Sequence, residues 1–187
     1  MTDQSVSASA TNAWSIIVRT GIVHTATYFV VGLTAFYAFN YTAEFSQGSL
    51  SAIMRPTSDP WVAAGPLFQP LRGLLFGFVL YLLRDSIFTR PRGWLVAWAT
   101  LAIVGILNTF GPVPGSIEGA IYLNLPFASQ FGPGLIEVFV QSLLLAAGSW
   151  AWVRNPRNAC SWGFSIIAAL AILAALAGIF LAPYVPA

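Results

Sequence analysis

Residues 162–181 read WGFSIIAALAILAALAGIFL: twenty residues without a single charge. A helix of about 20 apolar residues matches the hydrocarbon thickness of a bilayer. The run is continuous rather than alternating, so it reads as a membrane helix and not as a barrel strand. Working back toward the N-terminus, four more stretches are continuously apolar with few charges: Trp14–Phe39, Leu67–Phe88, Trp94–Phe110 (the shortest) and Leu135–Val153. The expected fold is therefore all-α, a polytopic membrane helix bundle of about five transmembrane helices. Residues 1–13 form a polar N-terminal tail, 14–182 a single transmembrane bundle and 183–187 a C-terminal tail. The tail carries Asp3 and lacks the basic n-region of a signal peptide, so Trp14–Phe39 reads as a retained first span.

The composition agrees. Of 187 residues, 57% are hydrophobic and 7% are charged, against about a quarter charged in a typical soluble domain. Eight Arg, no Lys and six acids give a net charge of +2. That is too sparse and scattered for a nucleic-acid surface. One cysteine, Cys160, and one histidine, His24, exclude a disulfide framework, a multi-cysteine metal site and a bis-histidine haem within one chain.

The loops give an orientation. Arg90-Pro91-Arg92-Gly93 and Asn155-Pro156-Arg157-Asn158 are short turns punctuated by Pro and Gly. With Arg84, Arg154 and Arg19, they gather six of the eight Arg at one end if the spans alternate. The positive-inside rule then places the N-terminus in the cytoplasm and the C-terminus outside. Trp94, Trp150, Trp152 and Trp162 lie near the expected helix ends, where amphipathic rings favour the interface. Two longer connections, 40–66 and 111–134, face outward. They are rich in Pro and Gly yet apolar in places, and are expected to carry short interfacial helices. A bacterial plasma membrane is the expected location, membrane lipids the expected surroundings, and larger membrane subunits or further copies of the chain the expected partners.

Ionisable residues inside spans are costly and tend to mark function. Arg72 sits just inside the second span, close to Gln69. Glu137 and Gln141, one turn apart, share a face near the start of the fourth. Together with Arg55, Asp59 and Glu118 they are expected near the outer surface. One reading is an Arg72–Glu137 ion pair that fixes packing. The other is a polar pocket for a lipid head group or small anion, to which a planar guanidinium is suited. His24 lies on a stripe with Thr20 and Tyr28 in the first span, nearer the cytoplasmic side. It reads either as a neutral histidine hydrogen-bonded within the bundle or, with Tyr28, as a contact to a cofactor shared with another subunit, a pigment magnesium or a haem iron. Gly73/Gly77 and the stripe Ala168, Ala171, Ala175, Gly178 would let helices approach closely, inside the bundle or between subunits.

No nucleophile elbow, zinc-protease motif or phosphate loop is present. Two functional classes remain in front. One is a small accessory or ligand-binding subunit of a membrane complex. The other is a membrane enzyme or carrier for a lipid-like or small anionic substrate at the outer face. A channel is disfavoured, because the third and fifth spans have almost no polar residues through their depth.

Overall fold

A computed structural model describes residues 12–157 and 159–181. The expected tails, apart from Asn12 and Ala13, lie outside the described residues, as does Asn158. Every regular element among the described residues is helical. In chain order these are α1 (Ala13–Ala38), α2 (Tyr41–Gln47), α3 (Pro60–Ala63), a 3-10 turn (Gly65–Phe68) running into α4 (Gln69–Leu82), α5 (Arg84–Ile87), α6 (Gly93–Ala99), α7 (Ile117–Tyr122), α8 (Phe127–Gln130), α9 (Pro133–Arg154) and α10 (Cys160–Leu181).

Four helical segments are long and apolar enough to cross a membrane: Ala13–Ala38, Gly65–Leu82, Phe127–Arg154 and Cys160–Phe180. The chain has the build of a multi-pass integral membrane protein. The third expected span is shorter than its apolar run. α6 continues for eight residues, Thr100–Leu107, as a π-helix, whose i to i+5 bonds put more residues into each turn and so gain less length. It ends before Asn108, leaving Asn108–Phe110 outside. It is a shorter apolar helix packed on α9 rather than a span of full length.

Local chemistry sets the ends. The Asn12 side chain caps α1 by accepting from the Ser15 N–H at 3.3 Å. After Phe39, Asn40 takes a left-handed conformation, φ 48°, which Asn tolerates better than most residues. This turns the chain sharply into α2. Asp59 caps α3, with Pro60 in its first turn, and Ser116 caps α7 through the Gly119 N–H at 2.9 Å. The two longer connections thus carry α2, α3, α7 and α8, with Trp61, Tyr122 and Phe127 exposed on them.

The centre of the bundle is α1, which packs on α4, α9 and α10. The two glycines of α4 make its approach to α1 unusually close. A Cβ on Gly73 would lie 2.8 Å from the Gly21 Cα, and one on Gly77 would lie 2.7 Å from the Ile17 Cα. Ala168, Ala171 and Ala175 are buried, and Ala168 lines the α1–α10 seam. Both small-residue faces are therefore used within the bundle.

The tightest core lies at the Arg-rich end. Ile16, Leu80, Ile87, Phe88, Ala146 and Val153 are each no more than 1% exposed. Arg154, in the last turn of α9, donates to the carbonyls of Phe88 at 3.0 Å and Arg90 at 3.3 Å. Its guanidinium also lies 5.0 Å from the Trp150 ring, and Trp150 Nε1 donates to the Arg90 carbonyl at 3.0 Å. Arg19 reaches the Trp152 carbonyl at 3.4 Å. These bonds place Arg19, Arg90 and Arg154 at one end of the bundle, as the alternation of spans requires.

Candidate functional site

The antiparallel register of α1 and α4 can be read from their contacts. Ile17 faces Gly77, Gly21 faces Gly73, His24 bonds Gln69, and the Tyr28 hydroxyl lies 3.7 Å from where a Gly65 Cβ would be. The helical segment that begins at Gly65 therefore starts level with Tyr28, while α1 runs on to Ala38. At 1.5 Å per residue, this second wall of the bundle stops roughly 15 Å below the end of the first.

The polar residues collect at that step. His24 is 1% exposed, and its Nε2 bonds Gln69 Oε1 at 3.1 Å. Gln69 in turn donates through Nε2 to the Gly65 carbonyl at 3.0 Å. The Phe76 ring meets the His24 ring edge-on at 5.0 Å and lies 5.6 Å from the Arg72 guanidinium. Arg72 and Phe76 are one turn apart on α4, to one side of the stripe Gln69, Gly73, Gly77 that faces α1. Pro70 and Leu74, to the other side, line an apolar cavity of about 320 Å³ against α10. Arg72 is exposed and forms no ion pair among the described residues. Tyr28, half-buried, lies within electrostatic reach of both Arg72 and Glu137.

The expected Arg72–Glu137 ion pair is not formed among the described residues. Glu137 instead accepts a hydrogen bond from the Tyr41 hydroxyl on α2. Burial first, and then Glu137, pushes the Tyr41 phenol well above its usual range, so it remains a donor. Glu137 also borders an apolar groove of about 350 Å³ between α1 and α9, with Val30, Thr34, Ile136 and Val140 among its walls. Gln141 is half-buried one turn further along α9. Glu118 stands in the first turn of α7. Arg55 and Asp59 pair with each other at 2.9 Å in the loop before α3. The structure thus joins His24, Gln69, Arg72 and Tyr28, with Glu137 nearby, and gives Arg55–Asp59 a local role in its own loop. Sequence reading placed His24 away from this group and missed Tyr41 and Phe76. For Phe76 the signal was its position one turn from Arg72.

With Nε2 engaged by Gln69, Nδ1 is the ring nitrogen of His24 left for any contact to iron or magnesium, and it lies within a closed helix seam. Among the described residues no group of three metal-binding side chains gathers.

The Arg55–Asp59 loop gives a prediction of its own. The Trp61 backbone N–H, then the Arg55 guanidinium, hold the Asp59 carboxyl below its ordinary value of 3.8. A depressed value means that the ordering is complete above 3.8 and is lost as pH falls through the lower folded-state value. The Trp61 amide resonance, followed by NMR in micelles during acidification, should hold its position at mildly acidic pH and move only below 3.8. In Asp59→Asn that low-pH transition should be gone.

Neither protein-family models, nor curated proteins, nor solved structures match this chain.

Proposed function

We propose that this chain is a small binding subunit of a bacterial plasma-membrane complex. In this reading the N-terminus is cytoplasmic, and the chain holds an anionic lipid-like molecule in the outer half of the bilayer. The observation that carries the reading is Arg72: an exposed cation with no carboxylate partner among the described residues, two turns into a helical segment that starts roughly 15 Å below the end of its neighbour. A guanidinium within a membrane helix is costly unless something satisfies it. Its fork geometry matches phosphate or carboxylate oxygens. Tyr28, within electrostatic reach of it, supplies a hydroxyl, and Leu75 and Phe78, exposed further along α4, offer an apolar wall to the chains of the same molecule.

Native mass spectrometry of the protein extracted in mild detergent tests this. The wild type should leave the membrane with an anionic lipid retained in preference to a zwitterionic one. Arg72→Gln should lose that preference at least tenfold and remain folded by size exclusion, and Arg72→Lys should keep part of it. Equal retention by wild type and Arg72→Gln would sink the lipid reading. Loss of the folded protein in both variants would make Arg72 a packing residue instead. Co-extraction with larger subunits would support the accessory role.

A further inference from the structure

Among the described residues, three buried polar atoms without a hydrogen-bond partner belong to helix faces that meet: Thr20 Oγ1, His24 Nδ1 and Ser149 Oγ. Their side chains are 0%, 1% and 0% exposed. Thr20 and His24 are one turn apart on the same stripe of α1. Ser149 is placed by its neighbours on α9. Gly148 and Trp152 meet α1 at Val23 and Arg19. Ala146 and Val153, further round the helix, join Ile16 of α1 and Leu80 of α4 in the core. Ser149 lies between these two faces, so it looks into the seam where α1, α4 and α9 come together.

The protonation of His24 follows from its partner. The Gly65 carbonyl takes a donor from Gln69, which fixes the Gln69 amide nitrogen toward Gly65 and its oxygen toward His24. An oxygen there accepts, so the His24 proton is on Nε2 and Nδ1 carries a lone pair. A lone pair and two hydroxyls, all closed off from solvent, form a set that a single water can satisfy. Buried waters make roughly three hydrogen bonds, to otherwise unmatched groups such as these.

We propose that Thr20, His24 and Ser149 bind a water molecule at the junction of α1, α4 and α9, with His24 Nδ1 accepting one of its protons. The water's remaining bonds go to the two hydroxyls, each of which can donate or accept. His24 is then satisfied on both nitrogens, by Gln69 on one side and the water on the other. This fixes the ring against Phe76 beneath the Arg72 site.

The chain has one histidine, so its two ring nitrogens give the only imidazole signals in solid-state NMR of the ¹⁵N-labelled protein in lipid bilayers. The expected spectrum has a protonated Nε2 and a bare Nδ1 that receives magnetisation from water. Thr20→Val, which keeps the shape and removes the hydroxyl, should reduce that transfer at least twofold while leaving the Nε2–H signal in place. If Thr20→Val loses the Nε2–H signal, and with it the local fold, Ser149→Ala takes its place with the same expected reduction. Absence of transfer from water in the wild type would overturn the proposal. So would a proton on Nδ1, or a transfer unchanged by whichever variant keeps the Nε2–H signal.

Discussion

Replacing Gly77 with leucine should abolish the folded bundle. A Cβ at this position would stand 2.7 Å from both the Cα and the carbonyl oxygen of Ile17, and backbone cannot swing aside as a side-chain tip can. The only relief is for α4 to move away from α1. That would loosen Leu80 and Ile16 in the core and break the register that aligns His24 with Gln69. Overfilling a packed interior costs roughly 1–3 kcal/mol even where side chains can adjust. A leucine against fixed backbone belongs above that range, which is enough to unfold a protein of ordinary marginal stability. Fluorescence-detected size exclusion after mild-detergent extraction should show no monodisperse peak for Gly77→Leu and a reduced one for Gly77→Ala. Gly105→Ala, where a Cβ would meet nothing within 4 Å, should behave as wild type. A normal peak for Gly77→Leu would show that α1 and α4 are not in such close contact.

The second large effect is expected at the opposite kind of contact, polar and at the Arg-rich end. Arg154→Ala removes two bonds from a cation to the carbonyls of Phe88 and Arg90, and the cation's stacking on Trp150. Hydrogen bonds to charged groups contribute about 1.5–3 kcal/mol each. Discounted for partial exposure and for the surviving Trp150–Arg90 bond, the loss should be roughly 2–3 kcal/mol. It should also be local first, because those bonds tie the turn between α5 and α6 to the end of α9. Limited trypsin digestion should therefore cut after Arg92 at least tenfold faster in Arg154→Ala than in wild type. Arg157→Ala, at an exposed residue beyond the helix end, should leave the rate unchanged. Equal rates in all three would mean that the turn is held by its apolar packing alone.

The elements of the bundle were legible because each is written locally. Uncharged runs such as 162–181 admit few alternatives in lipid, and Pro and Gly at 91–93 and Pro156 mark where helices stop. The close approach of α4 was legible in Gly73 and Gly77, although only the fold assigns it to α1 rather than to a second subunit. The site was harder to read. Gln69 is 45 residues from His24 and Tyr41 is 96 from Glu137. What joins each pair is the vertical offset of one helix against the next, which no local periodicity records. Sequence reading set every span across the same slab, and so put Gln69 at the surface and His24 below it. In the structure Gly73 packs on Gly21 and Gly77 on Ile17, and in that register the two residues are neighbours. The third apolar run was legible as the shortest of the five, and the π-helical winding of Thr100–Leu107, which gains less length per residue, was not.

The step between α1 and α4 also bears on the lipid around the protein. A bundle with walls of unequal height presents two hydrophobic thicknesses to one bilayer, and a bilayer meeting a shorter wall thins to match it at modest cost. In the orientation proposed above, the outer leaflet on the α4 side would be drawn down toward Gly65, and its head groups would descend with it. Phosphates would then come toward Arg72 by deformation of the leaflet, with no lipid extracted from it. The binding of such a protein would track membrane thickness as well as lipid charge, stronger in thin bilayers and weaker in thick ones.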